Sequence, residues 1–123
     1  MTRRTVALAL ALASAGCATT APDPDAVQSA EALAIAPYAI HEACVKLAAG
    51  DRLDWRFASR APVAFNLHYH DGPSVVLPVT RDASVGDAGV YRAAVAHDYC
   101  AMWEAGPGGA VISYRVQPLR GER

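Results

Sequence analysis

Two histidines one residue apart, His68-Tyr69-His70, are the feature of this 123-residue sequence best suited to chemistry. On a β-strand, residues i and i+2 point to one face, so both imidazoles would project together, opposite Phe65, Leu67 and Tyr69. Such a pair can bind zinc or copper, which want three or four donors. His41, His97, Met102 and Glu104 are the available supplements, and nothing in their spacing brings them to the pair. A cupin-like site would want a glutamate shortly after the second histidine, where the chain has Asp71-Gly72-Pro73-Ser74. The competing readings are two solvent-facing side chains beside a turn, or a contact surface titrating near the unperturbed histidine value of about 6.5.

A second run, Tyr99-Cys100-Ala101-Met102-Trp103-Glu104, mixes soft ligands with aromatic rings. Strand alternation puts Met102 and Trp103 on opposite faces, which argues against joint copper(I) binding and for Tyr99 and Trp103 as core. Catalytic sets are not evident. Ser59, Ser74, Ser84 and Ser113 lie in no nucleophile-elbow pattern, and no glycine-rich phosphate cradle precedes a helix. Asp51 with Asp54, and Asp82 with Asp87, fall at turns, where acids are ordinary. The expectation is a protein that is not an enzyme.

The elements that must position these residues read as strands. Leu53, Trp55 and Phe57 alternate with Asp54 and Arg56; Val63, Phe65, Leu67 and Tyr69 alternate with Ala64, Asn66, His68 and His70. Further runs cover 40–47, 75–79, 89–96, 99–104 and 111–116. Ala49-Gly50-Asp51, Asp71-Gly72-Pro73 and Gly106-Pro107-Gly108-Gly109 supply the turns. About seven short strands over residues 38–118 predict a small antiparallel β-sandwich, all-β in class. A C-terminal tail, 119–123, follows.

The N-terminus carries an address. Arg3 and Arg4 precede an uncharged run, 6–15, that ends in small residues and a cysteine, the pattern of a signal peptide over 1–16. The run falls well short of the roughly 20 residues a permanent membrane helix needs. Ala13-Ser14-Ala15-Gly16-Cys17 resembles the lipobox of bacterial lipoproteins, although Ser14 stands where that motif usually has leucine. The resemblance implies lipidation of Cys17 and, because Ala18 follows, an outer-membrane lipoprotein facing the periplasm. Cleavage before Gly16 by the ordinary signal peptidase is the alternative. Residues 17–37 then read as a tether: Pro22 and Pro24 interrupt regular structure, while 26–36 could form a short helix stopped by Pro37 or remain an alanine-rich spacer.

Without Arg3 and Arg4, nine basic residues face 12 acidic ones, with no basic run. This argues against a nucleic-acid partner, since neutralising phosphates needs a clustered positive surface. Of the three cysteines, Cys17 is committed to lipid; Cys44 and Cys100 are placed to form a disulfide in an oxidising compartment, with buried free thiols as the alternative.

Cys44-Val45-Lys46-Leu47, Gly50-Asp51-Arg52-Leu53, Gly89-Val90-Tyr91 and Tyr99-Cys100 follow one another in an order that resembles the GOLD domain, the β-sandwich of secretory-pathway cargo receptors. That resemblance implies joined cysteines and protein binding without catalysis. Asp87 to Tyr91 also looks like the tyrosine corner of immunoglobulin-type domains, with Ala93 where their cysteine would fall. The functional expectation is a lipid-anchored periplasmic interaction or envelope-accessory module. The alternative is a copper- or zinc-binding protein using His68 and His70.

Overall fold

The computed structural model describes residues 15–122. Its elements are β1 (Gln28–Ile35), β2 (Ile40–Leu47), β3 (Arg52–Asp71), β4 (Ser74–Arg92), β5 (His97–Ala105) and β6 (Ala110–Leu119). Every pairing is antiparallel. The organising unit is the β3–β4 hairpin, with strands of 20 and 19 residues. Residues 52–59 of β3 pair with β6, whereas 63–68 pair with β5. β4 follows β3 along both halves, β1 extends the β6 side, and β2 extends the β5 side. The sheet thereby curls over itself into two layers, and the inward side chains of the layers meet as a core.

The curl has a local cause. Pro62 has no backbone donor, the Ser59 hydroxyl donates to the Ala61 carbonyl at 2.5 Å, and the β3–β4 register shifts between Ala58 and Val63 and again before Phe65. Extra residues in one strand of a pair bend it and increase its twist. The alternating apolar residues on either side of the bend therefore face each other. Phe57 lies 4.9 Å from Phe65 between ring centroids, Phe65 lies 5.5 Å from Trp103, and Trp103 lies 4.6 Å from Tyr114. Such aromatic pairs add to the hydrophobic gain from their burial. Gly89 faces Trp55 across the hairpin, and a Cβ there would run into the indole ring.

Two expectations need correction. Six strands replace the seven predicted: 53–57 and 63–69 are one strand, and 75–79 and the first half of 89–96 are another, because the bend is absorbed by bulges that keep the hairpin paired. The segment 26–36 is neither helix nor spacer. Its residues from Gln28 to Ile35 form β1, in register with Val116 to Ala110 apart from one shift between Ala30 and Leu33. An open β6 edge outweighs the helical preference of alanine, as tertiary pairing commonly does. The folded unit therefore begins ten residues before the expected boundary at 38, at Gln28.

A polar clamp fixes where the chain enters it. Asp51, buried at the foot of the sandwich, accepts from the Ala48 amide at 2.9 Å, the Gly121 amide at 2.8 Å and Arg120 Nη1 at 3.0 Å. Arg120 also donates to Asp25 Oδ1 at 2.6 Å and to the carbonyls of Pro24 and Lys46 at 2.8 Å. Hydrogen bonding to Asp25, reinforced by Asp51, raises the guanidinium pKa despite its partial burial. The residues before β1 are thus held to the domain as far back as Pro24.

Candidate functional site: the outer face of the β3–β5–β2 layer

Register decides which polar side chains meet. His68 faces Cys100 and Asn66 faces Met102 across β3 and β5; Cys100 faces Cys44 and Met102 faces Glu42 across β5 and β2. Because alternate residues share a face, Asn66, His68, His70, Cys100, Met102, Glu42 and Cys44 lie together on the outside of this layer. Their neighbours in sequence, Phe65, Leu67, Tyr99, Ala101, Trp103 and Val45, are buried on the inside.

Cys44 and Cys100 are joined in a disulfide across directly opposed residues, with Cα atoms 4.0 Å apart. The bond ties the edge strand β2 to β5 within one layer and does not cross the core. Cys44 is exposed and Cys100 half-buried, so the bond is open to solvent.

The two histidines share a face, but they are not equivalent. His70 is exposed, whereas His68 retains only 5% of its surface, which corrects the reading of both as solvent-facing. His68 Nδ1 lies 2.7 Å from Asn66 Oδ1, so Nδ1–H donates to the amide oxygen and Nε2 keeps its lone pair. That lone pair lies 3.5 Å from Glu42 Oε1, and the His70 ring stands edge-on at 5.3 Å. Burial lowers the His68 pKa; Glu42 opposes this and His70 adds to it. Burial thus favours the neutral imidazole, and in that form two electron-pair donors face each other across a gap suited to a proton or a cation.

The supplements named from the sequence disperse. His41 accepts or donates at 3.0 Å to the Tyr114 hydroxyl and stacks at 5.9 Å on Trp103; His97 stacks at 4.8 Å on Tyr69. Glu104 lines an apolar cleft of about 590 Å³ at the opposite end, with Tyr38, Pro62 and Pro107. Met102 joins the face beside the pair, and Glu104 shares its parity one step further along β5, towards the cleft. Glu42 and Asn66, which the sequence did not single out, are the nearest polar neighbours of His68. Their signal was the shared i, i+2 parity of Glu42 with Cys44 and of Asn66 with His68, but parity cannot say which strands are adjacent.

Of the other carboxylates considered, Asp51 belongs to the Arg120 clamp, and Asp87 binds Arg81 at 3.2 Å and Trp55 Nε1 at 3.4 Å. Cys17 is exposed and is the free cysteine among the described residues; residues 1–14 of the expected signal peptide lie outside them. Compared with known protein families and with curated proteins, the sequence matches none.

Proposed function

We propose that this protein is a non-enzymatic binding module, exported and held by a lipid on Cys17 at the periplasmic face of the outer membrane, where it recruits an envelope protein. The observation that carries this reading is β4. It pairs with β3 along one side and, among the described residues, no strand pairs with its other edge over its 19 residues, with Val75, Leu77, Val85 and Val90 exposed along it. An open edge presents unpaired amides and carbonyls, the template on which an extended segment of another chain adds a strand. Pro78 lacks the donor, which directs such a segment to the residues beyond the bend, around Val85 to Val90. The resemblance to a protein-binding sandwich supports the same reading, as does the solvent-facing disulfide, which persists in an oxidising compartment. With Pro24 clamped by Arg120, the segment from Cys17 to Asp23 reaches at most roughly 25 Å, so the module sits close to its membrane.

Affinity capture from detergent-solubilised envelope, run in parallel with wild type and Val85→Lys/Val90→Lys, tests the edge. A partner retained by the wild type and lost by the well-folded variant is expected; identical recoveries from both would refute the reading. Incorporation of a fatty-acid analogue, abolished in Cys17→Ala, tests the anchor separately.

A second reading, zinc or copper held by His68 and His70, is favoured by the neutral, positioned imidazole of His68 beside His70. Calorimetric titration of the oxidised protein with Cu(II) and Zn(II), repeated on His68→Ala/His70→Ala, decides it.

A further inference from the structure

We infer that the outer face of the β3–β5–β2 layer holds a redox-gated zinc site, closed while Cys44 and Cys100 are joined and formed by Cys44, Cys100, Glu42 and His68 once they are reduced. The inference does not depend on the partner-binding edge or the lipid anchor. It differs from a His68/His70 site in its ligands and in requiring reduction.

The ligand atoms of Glu42, Cys44 and Cys100 lie within 4.8 Å of one another, and His68 Nε2 is 3.5 Å from the Glu42 carboxylate. Tetrahedral zinc, with bonds of 2.0–2.3 Å, spaces its donors roughly 3.3–3.8 Å apart. The imidazole and carboxylate already stand at that spacing, and the sulfurs need only separate by side-chain rotation. The backbone can stay in place, since the β2–β5 ladder continues on both sides of the pair, from Ile40 with Glu104 to Leu47 with His97.

The chemistry of the donors selects the metal. Two thiolates, one imidazole and one carboxylate are the ligand types zinc takes, whereas copper(I) favours thiolate and thioether over carboxylate. A metal-bound histidine characteristically donates its other N–H to an oxygen acceptor that fixes its orientation. Asn66 Oδ1, at 2.7 Å from His68 Nδ1, supplies that acceptor. The same arrangement accounts for a nearly buried histidine on the outside of a sheet, its lone pair aimed at a carboxylate.

A dithiol reductant gives two electrons and two protons to the Cys44–Cys100 bond, leaving two thiols and closing to its own disulfide. Zinc binding then forms two S–Zn bonds and releases both thiol protons to solvent. A disulfide oxidant reverses the sequence, re-forming the S–S bond and expelling the metal. Zinc and oxidant thus compete for the same two sulfurs.

Cobalt(II), a spectroscopic stand-in for zinc, tests this on the purified protein, oxidised or reduced and freed of reductant under nitrogen. The reduced protein is expected to bind one equivalent, with thiolate charge-transfer bands and the visible absorption of a tetrahedral ion; the oxidised protein is not. Cys44→Ser and Cys100→Ser should each weaken the charge-transfer bands, and the double variant should abolish them. Asn66→Ala should keep those bands while weakening zinc binding about 10-fold or more. Adding oxidised glutathione to the zinc-loaded wild type should release the metal to a chromophoric chelator in step with thiol loss, a measurement that needs no variant to fold. Absence of charge-transfer bands in the reduced wild type overturns the site. Equal affinity in both redox states overturns the gate, and unchanged affinity in both Glu42→Gln and His68→Gln overturns the ligand set.

Discussion

The β3–β5–β2 layer carries two different chemistries on its two faces, one residue apart along the same strands. Its inner face is aromatic and dry: Phe65, Tyr99 and Trp103 are almost fully buried, and Trp103 Nε1 has no hydrogen-bond partner among the described residues. Its outer face is built from histidine, amide, carboxylate, thioether and a disulfide, and yet His68 there is nearly as inaccessible as the core. The difference shows that burial has separate causes. Inside, the two layers of the sandwich exclude water; outside, neighbouring polar side chains roof one imidazole and hold it through a hydrogen bond. The inner face should therefore govern stability and the outer face should govern how the protein responds to redox state and pH.

The largest test of that division is Trp103→Ala, which should cost about 3–5 kcal/mol in urea unfolding, as removal of a large core aromatic does. The outward neighbour Met102→Ala should cost much less, and equal losses would break the comparison. Next, reducing the disulfide should remove up to about 4 kcal/mol on the chain-entropy account for a loop of 56 residues. A shift of the urea midpoint with the near-ultraviolet dichroism of the inner aromatics retained would locate that loss in the unfolded chain.

Acidification gives a smaller effect with a definite sign. Burial lowers the His68 pKa in the folded protein, so the unfolded chain takes up this proton at higher pH. Stability should fall as pH drops below about 6.5 towards the lowered folded value and be level above it, as far as this group is concerned. His68→Gln should flatten that part of the profile; an identical slope in the variant would assign it elsewhere. Smallest of all, Glu42→Gln should change stability by less than about 1 kcal/mol, since the Glu42 carboxylate is substantially exposed. It should nonetheless lower the His68 pKa further, read by NMR titration, because Glu42 is the group that raises it.

The period-two pattern made the fold class legible. It placed Leu53, Trp55, Phe57, Phe65, Leu67 and Trp103 in a core before any contact was known, and it put His68 and His70 on the opposite face. It mistook the number of strands because a proline and a run of small residues ordinarily end a strand, whereas here paired bulges carry β3 and β4 around the bend. It missed β1 because an alanine-rich segment has no strand signal of its own and is extended only by the free edge of β6. The candidate site was half legible: the histidines and cysteines stood out by type, but Glu42 and Asn66 looked like ordinary surface residues.

What the sequence by itself determined was parity, turn positions and the supply of three cysteines, because side-chain alternation and backbone propensity are local properties. Which strands lie side by side depends on pairings between residues far apart in the chain. That register set Cys44 opposite Cys100, Cys100 opposite His68, and a glutamate from the edge strand over the imidazole. Alternation from buried Tyr99 and Val45 leaves both cysteines pointing away from the core, so once register had set them opposite each other the disulfide lay on the outside.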